Sequence, residues 1–294
     1  MNAVAAALTA ELGAALEARP SARVHGGCIN ESYRWEGAAG PLFVKVAEAG
    51  RLGMLQAEAD GLRELQRVAA VRTPRVLAVG SAGEKAYLAL EWIELRSSSS
   101  SADALLGLQL ARQHRAYASA FGWHRDNTIG SSTQPNTWCE DWVEFFRERR
   151  LRHQLELARR SGRDAAGRLQ RRGAELLERM GAFFGRHAPL ASLLHGDLWS
   201  GNRAADAQAA PVVFDPAVYY GDREADIAMT RLFGAFSPDF YAAYQAEWPL
   251  DAEAPRRVEL YNLYHVLNHL NLFGGAYLTQ ARGMIDRLLV ELGH

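Results

Sequence analysis

The rhythm of hydrophobic and polar positions changes near residue 96. Before that point, short apolar runs alternate with turn residues. Val24 to Val46 reads as extended structure, punctuated by Gly26-Gly27 and by the Gly37, Gly40 and Pro41 cluster of a hairpin. A helix is predicted from about Leu52 to Val68, where Leu55, Ala59, Leu62 and Leu65 recur on one face. Two more strands follow, Arg75 to Val79 and Ala86 to Ile93, separated by the turn at Gly80 to Gly83. Ser97 to Ser101 is an unbroken serine run and reads as a flexible connector. Beyond it helical patterns dominate: Ala104 to Phe121, Trp142 to Ala158, Ala166 to Phe184 and Pro255 to Leu292. One short apolar strand, Pro211 to Phe214, interrupts them. The expectation is an α+β fold of two lobes. A small β-rich lobe spans residues 1–93, a larger helical lobe spans 94–294, and the hinge lies near residues 91 to 96.

Composition agrees with two packed cores. The chain has 294 residues, 48% hydrophobic and 23% charged, which is ordinary for a globular protein. A formal net charge of −1 gives no nucleic-acid footprint. No apolar run is long enough to span a bilayer. The first 19 residues are Ala-rich, carry Glu11 and Glu17 and lack a basic start, so they read as an amphipathic helix and not as a signal peptide. Two cysteines, Cys28 and Cys139, make no disulfide framework and suit a reducing compartment. The expected location is the cytoplasm.

The informative stretch is His195-Gly196-Asp197-Leu198-Trp199-Ser200-Gly201-Asn202. Its spacing is that of a kinase catalytic loop, in which His is followed by Asp two residues on and by Asn five residues later. Phosphoryl transfer needs an Asp to accept the proton of the attacking hydroxyl and an Asn on a metal. Asp215 follows Asp197 by 18 residues and ends the apolar strand, where a second, metal-holding carboxylate belongs. Each piece is a weak signal; the ordered set, inside a helical lobe, is strong.

The first lobe supplies an independent check. Lys45 interrupts the apolar run Phe43-Val44-Lys45-Val46, and Glu58 shares the apolar face of the predicted helix. Taken singly, Lys45 could reach solvent along its stem and Glu58 could sit at the rim of its stripe. Taken together, they fit a buried pair that holds the phosphates of ATP. Gly26, Gly27 and Asn30 lie between two strand-like runs, where backbone N–H groups could cover those phosphates. A protein kinase carries Lys where this chain has Trp199, and only ten residues separate Asp215 from Asp226. The acceptor is therefore expected to be a small molecule, with Trp199 offering a flat face to a sugar ring or an aromatic aglycone.

On these residues the chain resembles the fructosamine (ketosamine) kinases. The likeness runs through GGCINESY (26–33), LFVKV (42–46), EADGL (58–62), FGWHRDNTIGSSTQPNTW (121–138), HGDLWSGN (195–202), FDPAVYYGDREADIAMT (214–230) and YHVLNHLNLFG (264–274). It implies ATP and Mg²⁺, and a free or protein-bound ketosamine phosphorylated on its sugar 3-hydroxyl. It also implies Asp197 as proton acceptor, Asn202 and Asp215 as magnesium ligands and Lys45 as a phosphate contact. Glu91-Trp92-Ile93 would present adenine-binding backbone, and Trp199 would contact the sugar. Two other readings stay open, an aminoglycoside- or choline-type kinase and a catalytically inactive kinase fold used as a binding module. Trp199 and Gln134-Pro135-Asn136 argue against the first, and the intact set of five polar residues against the second.

Other features carry less. Glu224 and Asp226 fit either of two roles, lining the acceptor pocket or capping a helix that starts near Ile227. The seven arginines between Phe146 and Arg163 interleave with Glu148 and Glu156 and read as a solvated helix face. His265 and His269 lack a third metal ligand, and packing or hydrogen bonding suits them better. Trp138, Trp142, Phe145 and Phe146 read as core, with Cys139 buried beside them. Cys28, at the tip of the glycine turn, is either a small apolar filler or an accessible thiol. In the second case oxidation would link two copies of an otherwise monomeric chain through a disulfide.

Overall fold

The structure is a computed structural model and describes residues 1–24 and 31–293. Gly26, Gly27, Cys28 and Asn30, with the phosphate-covering and redox roles expected of them, lie outside the described residues. The chain opens with α1 (Asn2–Leu12), shorter than its Ala-rich sequence predicts. Gly13 takes a left-handed conformation (φ 65°), and its N–H bonds Thr9 O, which ends the helix.

An antiparallel sheet follows, formed by β1 (Ala22–Val24), β2 (Glu31–Trp35), β3 (Leu42–Glu48), β4 (Val76–Ala82) and β5 (Lys85–Glu91) in the order β1-β2-β3-β5-β4. Between β3 and β4 runs α2 (Leu52–Val68), at the predicted bounds. Strand alternation sorts β3 between two layers. Val44 and Val46 pack with Val4, Leu8 and Trp35 on the α1 side, and Phe43 and Ala47 pack with Leu55 and Leu62 of α2. Lys45 therefore points the same way as Phe43 and Ala47, toward α2.

The helical lobe begins with α3 (Ser100–Gln113). The serine run is its N-terminus and not a loose connector. Ser99 Oγ caps the helix by accepting from Ala102 N at 3.2 Å, and Ser98 Oγ donates to Asp103 at 2.5 Å. A short hydroxyl serves a helix end as readily as a linker. The hairpin of β6 (Asn127–Ile129) and β7 (Ser132–Gln134) comes next. After it α4 (Trp142–Phe145) passes through a π-helical stretch, Phe146 to Arg152, into α5 (His153–Arg160), and α6 (Arg168–Arg179) follows.

The four short strands β8 (Ser192–Leu194), β9 (Arg203–Ala205), β10 (Pro211–Val213) and β11 (Tyr219–Gly221) form two nested antiparallel ladders. The outer ladder pairs β8 with β11, and the inner one pairs β9 with β10. Nesting brings the loops at 195–202 and 214–218 side by side, which is how two carboxylates 18 residues apart come to share a site. The rest is helical: α7 (Glu224–Met229), α8 (Pro238–Glu247), α9 (Ala254–Phe273) and α10 (Tyr277–Glu291). The last two form one long pattern in the sequence, but Gly274 and Gly275 break it with φ of 68° and 59°. No helix among the described residues is long and apolar enough to cross a membrane.

Several core expectations are corrected. Trp142, Phe145 and Phe146 are buried, but Trp138 is 45% exposed and tilts against Tyr220. Cys139 is half-buried, with its thiol on Asp141 O at 3.3 Å. The arginine-rich segment is a solvated face only in part. Glu148–Arg152 and Glu156–Arg160 form the expected i,i+4 pairs, but Arg150 is fully buried. The π-helical stretch adds a residue to the local turn and so turns a different position inward.

Candidate active site

A cleft of about 620 Å³ separates the sheet from the helical lobe. Lys45 stands on its sheet side. Its Nζ lies 2.7 Å from Glu58 Oε1 on α2 and 2.7 Å from Asp215 Oδ1 in the helical lobe. Burial alone would drive the ammonium toward neutrality, but the charges of Asp215 and Glu58 outweigh it and hold Lys45 as a cation. Burial pushes the Glu58 carboxyl up, and the Lys45 charge opposes that rise. The two anomalies of the sequence are thus each other's partners.

The catalytic-loop stretch is fixed by hydrogen bonds to its backbone. Both oxygens of Asp226, on α7, accept consecutive amides of the loop: His195 N at 2.7 Å and Gly196 N at 2.9 Å. The buried His114 adds a third bond to Asp226 at 3.2 Å. The sequence offers Asp226 a pocket or a capping role; it takes neither, and orients the loop instead. Asp197 N donates to His195 Nδ1, so the other ring nitrogen carries the proton and donates to Phe214 O at 3.1 Å. Burial holds His195 below its ordinary pKa and keeps it neutral. It therefore links the loop that carries Asp197 to the residue just before Asp215. Gly196 is required where it stands: a Cβ would lie 2.0 Å from Ala217 O, at a φ of 82°.

Asp197 itself faces the cleft. Burial and the neighbouring Asp215 charge push its carboxyl up to about 7, while the Asn202 hydrogen bond pulls the other way. Such a group exchanges protons near neutral pH. Asn202 Nδ2 donates to Asp197 O at 2.9 Å and to Asp197 Oδ2 at 3.2 Å, which turns its amide oxygen away from Asp197. Asp215 adopts φ 57°, an uncommon conformation for a residue with a Cβ, and its side chain is 42% exposed to the cleft. With one oxygen on Lys45, the carboxylate keeps a second oxygen free of that bond. A carboxylate and an amide oxygen lining one cleft offer a hard-donor set.

Phe43 and its cross-strand partner Leu90 form an apolar slot in the cleft with Ile93, next to Glu91 and Trp92 in the chain, and Phe214 also lines the cleft. The Glu91 carboxylate faces Arg72 Nη2 at 3.2 Å and Arg75 N at 3.3 Å, so backbone is what Glu91 offers the slot. Trp199 also lines the cleft and meets Phe233 edge-on at 6.3 Å. Gly201 makes room for the indole, since a Cβ there would lie 2.3 Å from the ring. Thr128 and Gly130 of the β6–β7 hairpin also line the cleft; they fall within the family-like stretch, yet no spacing in the sequence singles them out.

Glu224 does not belong to the cleft. It is buried at the first turn of α7 and pairs through both oxygens with Arg257 of α9, at 2.7 and 2.9 Å. The first turn of α7 faces α9, and a buried carboxylate there needs the guanidinium as its partner. Neither an acceptor contact nor a cap fits it.

The family model for fructosamine kinase matches residues 1–291. The chain belongs to the fructosamine kinase family. It is 44% identical over 267 residues to a probable ketoamine kinase of Synechocystis sp., which covers 90% of this chain and 89% of that protein. It is 41% identical to the chloroplastic protein-ribulosamine 3-kinase of Arabidopsis thaliana, over 90% of this chain and 81% of the other. A solved structure described as a fructosamine-3-kinase of Thermobifida fusca superposes with a TM-score of 0.87 at 34% identity, covering 98% and 99% of the two chains. More distant in sequence, the aminoglycoside phosphotransferase APH(4)-Ia shares the fold at TM-score 0.62 and 16% identity. The fold is that of protein-kinase-like phosphotransferases, and the protein is a kinase that phosphorylates a hydroxyl with ATP as its donor.

Proposed function

We propose that this kinase phosphorylates a sugar hydroxyl of a ketosamine, free or carried on a protein, and that Mg²⁺ accompanies its ATP. The observation that carries the reading is that one cleft is lined together by Asp197, Asp215, Trp199 and the Glu91–Ile93 segment. Adenine would occupy the slot against the backbone of Glu91, Trp92 and Ile93, with the phosphates directed toward Lys45. The acceptor sugar would lie against the Trp199 indole, which suits the apolar face of a sugar ring. The kinship with the protein-ribulosamine 3-kinase named above supports a ketosamine acceptor.

The reaction then needs little covalent chemistry from the chain. The acceptor oxygen attacks the γ-phosphorus, the bond from that phosphorus to the β–γ bridging oxygen breaks, and ADP leaves with the released charge. Asp197 takes the hydroxyl proton at its carboxylate. Lys45, fixed by Glu58, neutralises phosphate oxygens. The free oxygen of Asp215 and the amide oxygen of Asn202 fit a hard cation and would hold it. When bound, Mg²⁺ neutralises phosphate charge and fixes its geometry.

The test is ATP consumption with a series of ketosamines of differing sugar length, free and on a glycated protein. Aminoglycosides and choline serve as competing acceptors. Turnover confined to ketosamines is expected. Preferential turnover of an aminoglycoside or of choline would overturn the reading, as would no acceptor-dependent turnover at all.

A further inference from the structure

Arg150 is a buried cation whose hydrogen-bond partners are all neutral oxygens: Pro135 O at 2.6 Å, Arg149 O at 3.2 Å and Asn136 Oδ1 at 2.8 Å. Its guanidinium lies over the rings of Tyr219, at 4.0 Å, and Phe145, at 4.7 Å. Burying a charge this way is costly and asks for a reason. The reason is the direction that a donor-only group imposes on its neighbours. Because Arg150 claims Asn136 Oδ1, the Asn136 amide group must face the other way. There it donates to Asn127 Oδ1 at 2.9 Å and to Arg125 O at 3.1 Å. Asn127 is then forced to aim its own N–H at Val218 O, at 2.8 Å.

A second branch joins at the same oxygen. The Tyr264 hydroxyl donates to Gln134 Oε1 at 2.7 Å, which turns the Gln134 amide group inward. That group donates to Asn127 Oδ1 at 2.8 Å and to Ala217 O at 3.0 Å. Gln134, Asn136 and Arg150 are fully buried, and Asn127 nearly so. Every oxygen and nitrogen of the three amide side chains is used. The relay therefore has one polarity, and both branches end on consecutive carbonyls, two and three residues beyond Asp215. These are the residues that carry the chain out of the left-handed turn at Asp215, and the same network anchors the hairpin that brings Thr128 and Gly130 to the cleft.

We propose that Arg150, Asn136, Asn127, Gln134 and Tyr264 are positioning residues that hold Asp215 in its metal-binding conformation. The backbone of Asp215 is strained, and a strained turn persists only where its surroundings over-determine it. His195 fixes the residue before Asp215, and the relay fixes the residues after it. The proposal rests on the reading of Asp215 as a magnesium ligand.

Three variants test it without touching the cleft. Gln134→Glu keeps the shape but replaces the donor to Ala217 O with an acceptor. Tyr264→Phe removes one hydroxyl and frees the Gln134 amide to turn over. Arg150→Lys keeps a cation but loses the planar fork. A fluorescent ADP analogue is titrated with and without Mg²⁺, and KM and kcat are measured on folded protein. Gln134→Glu is expected to weaken the Mg²⁺-dependent gain in nucleotide affinity by about tenfold, in line with other outer-shell supports of metal ligands. Nucleotide affinity without Mg²⁺ and KM for the acceptor should stay at wild-type values, Tyr264→Phe should show a smaller loss, and Arg150→Lys should fall between them. Wild-type Mg²⁺ dependence in folded variants that lose only thermal stability would overturn the relay. If Gln134→Glu and Arg150→Lys fail to fold, Tyr264→Phe decides the matter by the same measure. Asp215→Ala, run alongside, should abolish the Mg²⁺ effect. If it does not, the ligand assignment fails, and the relay's purpose with it; if it does while the relay variants match wild type, the relay alone is wrong.

Discussion

Arg125 Nη1 donates a 2.6 Å hydrogen bond to Asp60 Oδ2, fastening α2 to the helical lobe two residues beyond Glu58. A second tie lies further along α2, where Tyr220 OH donates to Glu64 Oε1 at 2.6 Å. Between them Gly61 packs on Val218, and a Cβ there would already meet a methyl group at 3.2 Å. The helix that carries Glu58 is thus positioned by the same segment that follows Asp215.

The Arg125–Asp60 pair is partly exposed, and such ion pairs are worth about 0.2–1 kcal/mol. Asp60→Ala is therefore expected to lower kcat/KM for ATP by no more than about fivefold, the rate equivalent of that range. Initial rates at saturating acceptor check this. A loss of two orders of magnitude would mean that the contact does more than steady α2.

Lys45 is a different case, because its side chain and that of Glu58 are 8% and 13% exposed. Lys45→Met leaves Glu58 and Asp215 facing each other without a cation, and breaking a buried pair costs about 3–5 kcal/mol. The variant should lose both thermal stability and turnover. Adding Glu58→Gln should restore part of the stability and none of the turnover. Thermal unfolding measured beside activity separates the two effects; parallel recovery of both would remove Lys45 from the chemistry.

The pattern of this site was legible because phosphoryl transfer uses few residue types at fixed spacings. Lys45 and Glu58 stood out as charges on apolar faces, and the structure pairs them at 2.7 Å. The illegible parts depend on contacts distant in sequence. Glu224 carries an acidic side chain near the catalytic stretch, but its partner Arg257 lies 33 residues away and takes it out of the cleft. Arg150 sits in a run of arginines that looks solvated, and only the π-helical stretch turns it inward. Ser99 could have been read as an N-cap, since Asp103 falls in the first turn of α3, but the repeated serines hid the signal. Of the strands β8 to β11, three residues each, only β10 showed, as the apolar run Pro211 to Phe214; the other three are too short to show a period.

Asp197→Asn removes proton acceptance while keeping the size of the side chain. Turnover should fall by about 10²–10⁴, the usual contribution of a positioned base. Nucleotide binding should stay near wild type, because Lys45 and the Glu91–Ile93 slot are untouched. Rates with saturating ATP, together with a binding titration, check both halves. Turnover within a few-fold of wild type would place the base elsewhere.

The last prediction concerns pH and a cluster away from the cleft. His187 Nε2 lies 2.6 Å from Asp222 Oδ2, and its Nδ1 lies 2.9 Å from Asp251 Oδ2. Only the imidazolium can donate at both nitrogens. Burial alone would lower its pKa, but the Asp222 hydrogen bond and the charges of Asp222 and Glu224 outweigh burial, with Arg257 opposing them. The folded value is thus raised above the ordinary imidazole value of about 6.5. A raised folded pKa adds stability that is fully present below the unfolded value and is lost as pH rises through the folded one. The melting temperature of the wild type should exceed that of His187→Gln by most at pH below about 6.5, and the gap should narrow as pH climbs past the folded pKa. Asp222 also accepts from Tyr261 OH at 2.5 Å, so the carboxylate stays partly satisfied when the ring loses its proton. The expected change is therefore a graded narrowing and not a collapse. Thermal melts of both proteins across that pH range measure it directly. A gap that stays constant with pH would show that His187 is neutral throughout and supports the fold by packing alone.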